Sequence, residues 1–428
     1  MKKTFIAVLL FSISVFAQEK LSLSKAISIA LQNNYDIKII KADQRIADIE
    51  NAWGAAGVYP SISFNVNSSN TWDYNDSADY TQERLNGGVS LSWVLFDGFS
   101  MWIRKDQLKL YEDLSAGNTA VVIENTVQSV ILSYYTVLLE HEKLRVAETL
   151  KNLSKDRFDH ESERQKLGSL TTYDLLQAKN SWLEDQGRFL LQEVAYKNAI
   201  RDLNYLMAVE ADRTFDFTEE FSVQAKTFNM GSLNDKMLSN NSTLKNQFIY
   251  QSLLEKEVAL KRSDWWPTLS LNGGYTNVNS KTTLSGMDPD KSSSYNYNAT
   301  LNLSWSLFNG GNRKRALEIA QIDHEAGDTE IENMKHSLTN QLYNYYEIHL
   351  VRQELLQVAE EALETAELNL NISEEKFRNG AINSFNYRDV QLLYLNAAVN
   401  RLDAIYAYID AETALMRLTG GIVSKYEN

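Results

Sequence analysis

The stretch LSWVLFDG, from Leu91 to Gly98, returns as LSWSLFNG from Leu303 to Gly310, with six of eight letters unchanged and an offset of 212 residues. Self-similarity over a long, fixed period indicates duplicated structure. The other landmarks that recur at nearly this offset are Gly168 and Gly380, and the tyrosine pairs 134–135 and 345–346. The sequence therefore predicts two copies of one structural repeat, at residues 18–225 and 226–428.

Each copy contains a pair of strand signals after a proline. Pro60 and Pro267 follow predicted helical stretches of about Ser22 to Ala56 and about Leu233 to Ser263. Proline ends a helix and favours an extended residue before it. Apolar and polar residues then alternate, most clearly in VSLSWVLF, where one face receives Val89, Leu91, Trp93 and Leu95. Such alternation is typical of strands with one apolar face. The predicted strands cover about residues 60–70, 86–97, 267–279 and 295–309, with exposed polar loops at 68–86 and 279–296.

Very long helical runs follow each strand pair, from about Phe99 to Leu167 and from about Asn312 to Asn379, and neither contains a proline. At 1.5 Å per residue, each run makes a helix of roughly 100 Å. Gly168 and Gly380 follow the two runs, as glycine in a left-handed helix cap does. Shorter helices are predicted at about 171–207 and 384–418.

The second long run carries an apolar stripe with a mixed spacing of three and four residues. Its members are Leu355, Ala359, Ala362, Ala366, Leu370, Ser373 and Phe377. The spacing approximates an eleven-residue repeat, which favours straight or slightly right-handed packing of helices. An ordinary long coiled coil fits the stripe comparably well.

The start of the chain and its composition indicate an exported protein. Lys2 and Lys3 precede an apolar stretch, so residues 1–17 are predicted to be a secretory signal peptide. The absence of cysteine excludes disulfides and thiol chemistry. A formal net charge of −14 disfavours nucleic acid as a partner. Because no later segment has the roughly 18 consecutive apolar residues of a spanning helix, the chain is either soluble or crosses a membrane as strands.

Four strands of about ten residues suit a tilted crossing of a bilayer, but they cannot close into a barrel alone. Since unpaired strand edges are costly in lipid, subunits would have to share one barrel. Two subunits give eight strands with a filled interior, whereas three give twelve strands with room for a pore. Serines and asparagines on the inward face favour a wet lumen. The predicted fold class is therefore an α+β membrane protein, with a trimeric 12-stranded β-barrel (four strands per subunit) continuous with a long α-helical barrel.

Aromatic residues gather where the predicted strands meet the predicted helices. They are Trp93, Phe96, Trp265, Trp266, Trp305 and Phe308. Aromatic girdles of membrane barrels form at the membrane–water interface, so these residues are predicted to mark that level. Packing of a soluble strand–helix junction is the alternative.

The order and duplication of several motifs resemble the TolC-like outer-membrane efflux proteins. The motifs are ALQNNYDIK, AWGAAGVYPSIS, WVLFDG, KLGSLTTYDLLQA, RSDWWPTLS, WSLFNGG and RNGAINSFNYRDVQ, and they span nearly the whole chain after residue 17. The resemblance implies a homotrimer in outer-membrane lipid with its helical barrel in the periplasm. It also implies an exit duct that a periplasmic adaptor (membrane fusion) protein opens at the helical tip and links to an inner-membrane pump.

The resemblance also implies roles for the two glycine turns. The residues expected to form the adaptor-contact tips are Gly168, Ser169, Leu170, Gly380, Ala381 and Ile382. In relatives, acidic residues just beyond the glycines narrow the pore. The matching positions are Asp174, Asn386 and Asp389, with an asparagine where an aspartate is familiar. Arg388, next to Asp389, is expected to moderate the negative charge there. The alternative is that the two aspartates simply favour the positive N-terminal ends of their helices.

No pattern in the sequence indicates an enzyme, a cofactor or a metal site. The five histidines lie in the helical runs without metal-ligand spacing, and solvated helix faces are the expected place for them. An exported coiled-coil scaffold or adhesin without a pore remains the alternative function. That reading predicts a strand region packed against protein rather than lipid.

Overall fold

The computed structural model describes residues 19–74 and 79–423, so the predicted signal peptide at 1–17 lies outside the described residues. Both halves of the chain contain the same series: a short strand, two helices, two long strands and two long helices. The first series is β1 (Glu19–Leu21), α1 (Leu23–Asn33), α2 (Tyr35–Glu50), β2 (Ser61–Asp73), β3 (Tyr80–Asp97), α3 (Ser100–Lys166) and α4 (Thr172–Met207). The second is β4 (Phe215–Phe217), α5 (Met230–Asn240), α6 (Ser242–Ser263), β5 (Thr268–Leu284), β6 (Asp290–Ser304), α7 (Asn312–Arg378) and α8 (Ser384–Leu418).

The chain divides into two compact units that cut across the two halves. The unit that we call the helical unit comprises the described parts of Met1–Lys38, Val122–Asn241 and Leu338–Asn428. The sheet unit comprises Ile39–Val121 and Ser242–Ser337. Each unit draws on both halves, so the two sequence repeats are interleaved in the fold. The boundary between the repeats at residues 225 and 226 stays a prediction.

The helical unit repeats one hydrogen bond from a tyrosine to a backbone carbonyl. The buried Tyr134 hydroxyl donates to the Leu21 carbonyl oxygen at 2.9 Å, and Tyr346 donates to Phe228 at 3.3 Å. Leu21 and Phe228 each precede the N-cap residue of the helix that follows. The structural equivalents are therefore Tyr134 and Tyr346, rather than the first members of the two tyrosine pairs. The short strands β1 and β4, which the sequence analysis did not predict, pair in parallel beside this contact.

A second repeated contact divides each helical stretch that was predicted to be continuous. Asn34 Nδ2 donates to the Leu206 carbonyl at 2.9 Å, and Asn241 Nδ2 donates to the Leu418 carbonyl at 2.9 Å. Both asparagines are buried, and each lies at the break between two consecutive helices. Asn34 also accepts hydrogen bonds from the amides of the next helix, as an N-cap residue does. Each break is thus a corner between two helices, at which a side-chain hydrogen bond joins the helix end to a carbonyl that is distant in the sequence.

The sheet unit contains one antiparallel sheet in the order β2-β3-β5-β6. Its four strands confirm the predicted ones, but they extend farther into the sequence that was predicted to form polar loops. The two strand pairs extend to Asp73 and Tyr80 and to Leu284 and Asp290, so most of the predicted polar loops is strand. Polar residues are compatible with pairing here because a strand needs only a partner for its backbone, not an apolar side chain. Within the described ranges, the outer strands β2 and β6 each pair with one neighbouring strand.

Two details of the predicted strands were wrong. β6 ends at Ser304, before Trp305, because its partner β5 begins at Thr268 and offers no backbone group beyond the Thr268–Ser304 pair. β3 contains a bulge between Val94 and Phe96. The bulge inserts one residue, so that Phe96 rather than Leu95 occupies the next position on the face of Trp93.

The duplicated stretch that ends in glycine forms the same strand-to-helix junction twice. Trp93 Nε1 donates to the Val58 carbonyl at 2.9 Å, and Trp305 Nε1 donates to the Trp265 carbonyl at 3.1 Å. Both acceptors lie two residues before a proline that starts a strand. In both copies a side-chain oxygen caps the next helix. Asp97 Oδ1 accepts a hydrogen bond from the Met101 amide, and Asn309 Oδ1 accepts one from the Arg313 amide.

Two consecutive residues in each junction have left-handed backbone. They are Gly98 and Phe99 in the first copy, with φ of 67° and 70°, and Gly310 and Gly311 in the second, with φ of 67° and 76°. Left-handed backbone is sterically unfavourable for Phe99 because it has a Cβ atom, whereas Gly311 at the equivalent position has none. The Phe99 ring packs edge-on against Phe96 at 5.2 Å and Trp266 at 6.4 Å, which offsets that cost.

The apolar stripe on α7 differs from the predicted one at two positions. Leu355 is 45% exposed and Ala362 is also exposed, whereas Leu356 and Leu363 take their places on the packed side. With Ala359, Ala366, Leu370, Ser373 and Phe377, the packed residues then alternate steps of three and four. This is a heptad spacing, which favours the ordinary coiled coil over the eleven-residue repeat along this segment.

We expect Asn34→Ala to open the corner between α1 and α2. The substitution removes a helix cap, worth about 1–2 kcal/mol, and leaves the buried Leu206 carbonyl without its donor. Hydrogen exchange of the purified protein should become about tenfold faster in peptides that cover residues 35–38 and 206–209. Gln32→Ala, which changes an exposed neighbour, is the control. Equal exchange in both variants would show that the corner does not depend on this hydrogen bond.

Candidate functional site

The two glycine turns in the helical unit have the same backbone geometry. Gly168 and Gly380 both have φ of 72°, which confirms the predicted left-handed caps. In each turn the residue after the glycine donates back across the helix end, from Ser169 to Arg164 at 3.0 Å and from Ala381 to Lys376 at 2.8 Å. This six-to-one pattern is the Schellman motif. A Cβ at either glycine would meet nothing within 4 Å, so backbone conformation rather than space favours glycine there.

Both turns lead directly into a capped helix. Thr171 caps α4 and its hydroxyl accepts from the Asp174 amide at 3.2 Å, while Asp174 Oδ2 accepts from that hydroxyl at 2.7 Å. Asn383 caps α8 and accepts from the Asn386 amide at 2.8 Å. Asp174 and Asn386 therefore occupy the same N3 position. Asp174 is half-buried and acts in helix capping, while Asn386 and Asp389 are exposed.

The turns expose several large apolar side chains to solvent in the single chain. Leu167 is 83% exposed, Tyr173 70% and Phe385 72%. Of the predicted tip residues, Ser169 and Ala381 are exposed, whereas Leu170 and Ile382 are partly buried. Ile382 packs against the small cluster of Leu370, Phe377 and Tyr387. The turns thus combine a fixed backbone with an apolar surface, the combination that a protein contact uses.

Arg388 does not moderate the charge of Asp389 as the sequence suggested. Its guanidinium turns inward and forms two hydrogen bonds with Asp185, at 2.6 and 2.9 Å, and both residues are buried. The two parallel bonds match the planar guanidinium to the carboxylate. Asp389 itself is exposed to solvent, one position away from this buried guanidinium.

Two more charged residues are buried near this pair, and the sequence analysis missed both. Arg157 is 3% exposed and donates to the Ser384 carbonyl at 3.1 Å, while its Nε and Nη2 have no hydrogen-bond partner. Burial lowers the pKa of Arg157 to about 10, so it is charged at neutral pH. Glu161 is fully buried, its carboxylate oxygens have no hydrogen-bond partner, and burial raises its pKa. Helical periodicity was the available signal, since Arg157 and Glu161 are four residues apart and share one helix face.

His349 corrects the expectation that the histidines lie on solvated faces. It is 1% exposed and packs between Phe228 and Tyr408, with ring centroids 5.0 Å from each. Burial lowers the pKa of its imidazole. Neither ring nitrogen has a hydrogen-bond partner, and the described residues contain no cluster of metal-ligating side chains. The histidine is a packing residue.

The register of the sheet gives it two chemically distinct faces. Directly opposed residues share a face, and every second residue along a strand returns to it. The apolar face carries, among others, the rows Ile62, Leu91, Gly273, Ala299 and Phe64, Val89, Tyr275, Tyr297. The polar face carries the rows Ser63, Ser90, Gly274, Asn298 and Asn65, Gly88, Thr276, Asn296. The predicted alternation of apolar and polar residues is therefore confirmed across all four strands.

The predicted aromatic residues lie at the end of the sheet that meets the helices. The tryptophans Trp265, Trp266 and Trp305 and the ring of Phe308 are all exposed in the single chain, and Trp93 is 36% exposed. A second aromatic group lies farther along the apolar face, where Tyr297 contacts Tyr275 and Tyr295 with centroid distances of 4.9 and 6.2 Å. Tyr295 and Tyr297 are two residues apart on β6, and the strand register brings Tyr275 of β5 opposite Tyr297. No helix in the described part of the chain is long and apolar enough to span a membrane.

Comparisons with known proteins agree with this architecture. A family model described as outer membrane efflux protein matches residues 26–209 and 233–421. The outer membrane protein TolC of Vibrio cholerae is 22% identical over 364 residues, which cover 83% of this chain and 80% of that protein. The Campylobacter jejuni CmeC outer membrane channel has a TM-score of 0.73 at 15% identity, with 93% of this chain and 85% of that one covered. The open state of the Neisseria gonorrhoeae MtrE outer membrane channel has a TM-score of 0.70 at 13% identity, covering 94% and 89%.

We expect Arg388→Gln to destabilise the helices next to the glycine turns by about 3–5 kcal/mol, because it leaves the Asp185 carboxylate buried without its partner. Hydrogen exchange in peptides that cover residues 182–188 and 384–392 measures this loss. Arg378→Gln is the control, because Arg378 pairs with Glu374 at the surface and such pairs contribute at most about 1 kcal/mol. Similar protection in the two variants would contradict the structural importance of the buried pair.

We expect Glu161→Gln to stabilise the protein at pH 7. The raised pKa of Glu161 means that the folded state binds its proton more tightly than the unfolded state does. The contribution of Glu161 to stability is therefore complete below pH 4.5 and is lost as the pH rises through the folded-state pKa. Chemical unfolding of both proteins between pH 4 and 8 should show a gain for the variant at neutral pH that disappears at low pH. Glu163→Gln, at an exposed position, should show no such trend; a constant difference for Glu161→Gln would refute the assignment.

Proposed function

The chain belongs to the outer membrane efflux protein family, and from this premise we propose that it works as an outer-membrane exit duct. Three copies form one pore. The duct receives substrates from a periplasmic adaptor and an inner-membrane pump and conducts them to the cell exterior, and it opens at the two glycine turns. The helical unit is expected to lie in the periplasm.

The two-faced sheet with open edges is the observation that carries this proposal. β2 and β6 each present one row of backbone groups without a partner strand among the described residues. Unpaired backbone groups cost several kcal/mol each in lipid, and four strands are too few to close on themselves. Pairing β6 of one copy with β2 of the next removes both edges, and three copies give twelve strands. The apolar face then meets lipid, and the serines and asparagines line the water-filled interior.

The glycine turns supply the proposed gate and adaptor contact. The exposed side chains of Leu167, Tyr173 and Phe385 provide an apolar surface for a protein partner. Three-fold symmetry would bring three copies of Asp174 and of Asp389 towards one axis. Like charges held close together attract cations and shift the selectivity of a pore. Because position 386 is asparagine rather than the aspartate familiar in relatives, each subunit contributes one carboxylate fewer to this set.

Cysteine crosslinking tests the shared barrel. Because the chain contains no cysteine, any disulfide between subunits must come from the introduced residues. Asn65→Cys on the polar face of β2 is combined in turn with Asn296→Cys, Asn298→Cys and Thr300→Cys on the polar face of β6. At least one combination should give disulfide-linked dimers and trimers in outer-membrane fractions, and Asn65→Cys alone should not. Recovery of monomers without detergent, with no crosslink in any combination, would favour the exported scaffold instead.

Single-channel recording tests the acidic constriction. We expect Asp174→Asn with Asp389→Asn to lower cation selectivity, since each trimer loses six carboxylates. Asp235→Asn, at an exposed position on α5, removes charge elsewhere and should leave selectivity unchanged. If the double variant conducts ions as the unmodified protein does, the two aspartates do not form a constriction.

A further inference from the structure

One row of charged and polar side chains crosses the apolar face beyond the tyrosines. Asn70, Glu83, Lys281 and Lys291 lie directly opposite one another on the four strands. The preceding row consists of Ser68, Leu85, Asn279 and Ser293. All eight residues line one pocket of about 580 Å³. Three further lining residues, Arg84, Ser280 and Ser292, belong by register to the opposite face. Because eight of the eleven lining residues share the side of the apolar rows, we assign the pocket to that side.

Strand geometry gives the distance of this pocket from the helical end of the sheet, measured along the axis of the barrel in the proposed function. Leu269 pairs with Phe96 and Leu303 near the helical end, and Lys281 comes twelve residues later on the same strand and face. At about 3.3 Å per residue this is roughly 40 Å along the strand, or ~30 Å of height at a tilt of about 40°. The apolar band of such barrels is about 25 Å tall. The lysines thus lie just beyond the band, at the level of lipid headgroups.

The charge of the pocket favours an anionic ligand. Lys281 Nζ lies 3.1 Å from Glu83 Oε1, and both side chains are well exposed, so the pair is weak and its ammonium keeps free donors. Lys291, directly opposite, has no carboxylate within ion-pair distance among the described residues. Two ammonium groups against one carboxylate leave a net charge of +1. The serine hydroxyls and asparagine amides around them can both donate and accept hydrogen bonds.

We propose that this pocket binds the phosphorylated headgroup of a glycolipid in the outer leaflet that surrounds the barrel. The ammonium groups of Lys281 and Lys291 bind phosphate oxygens, and Ser68, Asn279 and Ser293 hydrogen-bond sugar hydroxyls. The acyl chains continue along the apolar face past Tyr295 and Tyr297, so a lipid fits the place better than a free phosphate does. The inference rests on the proposed function because it needs the apolar face to point outward.

The test uses the full-length protein purified in detergent, with purified lipopolysaccharide as the phosphorylated probe, and phosphatidylcholine and inorganic phosphate as separate arms. Binding is measured by native mass spectrometry. Lys281→Gln with Lys291→Gln should weaken lipopolysaccharide binding about tenfold or more, because each lysine near an anionic headgroup adds to the electrostatic attraction that holds the lipid. Phosphatidylcholine binding should not change. The control is Lys41→Gln with Lys314→Gln, which also removes two exposed positive charges but outside the sheet.

Each further outcome has a distinct meaning. Retained binding in Lys281→Arg with Lys291→Arg supports a charge-based site, because arginine keeps the positive charge. Equal binding of lipopolysaccharide by the glutamine variant and the control variant overturns the proposal. Competition by inorganic phosphate at the same concentration as lipopolysaccharide also overturns it, because the lipid would then add nothing. If the unmodified protein forms neither trimers nor pores, the proposed function itself fails, and this result is visible without any lysine variant.

Discussion

Hydrogen bonds from side chains to distant backbone carbonyls fix the points at which this chain changes direction. Asn34 and Asn241 hold the corners between consecutive helices, and Trp93 and Trp305 hold the junctions between strands and helices. Carbonyl groups at helix ends lack partners within their own helix, and the carbonyls of Val58 and Trp265 lie outside the described helices and strands. Each of these side chains supplies the missing donor from elsewhere in the chain. The long helices and strands can then be largely regular, because a separate hydrogen bond stabilises the backbone at each of these corners and junctions.

The sheet illustrates how backbone pairing and side-chain chemistry act separately. Backbone pairing extends the strands well into sequence that is rich in serine and asparagine, because hydrogen bonds between strands do not depend on side-chain polarity. Side-chain alternation then makes one face apolar and the other polar. The Leu95 bulge keeps Phe96 on the apolar face at the end where β3 meets α3. A four-stranded sheet with two such faces and two open edges is incomplete as a membrane structure, and this incompleteness is the physical reason for the proposed trimer.

The two halves keep the same contacts at the corners and junctions of the fold, and they differ near the glycine turns. The glycine turns have identical φ values, yet one leads to a capping aspartate and the other to an asparagine at the same helix position. The buried ion pair joins Asp185 of the first half to Arg388 of the second, and the described residues contain no duplicate of it. Arg157 and Glu161 are two further buried ionisable residues, and both lie in the first half. Such one-sided features break the symmetry of the repeat inside the helical unit, beside the turns that the adaptor is proposed to contact.

The sequence by itself determined the repeated order of helices and strands, the two left-handed glycine caps and the family resemblance. These features depend on local signals: proline and glycine positions, period-two alternation and recurring motifs. It did not determine the corners at Asn34 and Asn241, the true packed stripe through Leu356 and Leu363, or the inward turn of Arg388. These depend on which distant group lies within hydrogen-bonding or packing distance. Periodicity reports which face of an element is apolar, but only the tertiary structure brings a particular donor to a particular carbonyl, or a carboxylate to a buried arginine.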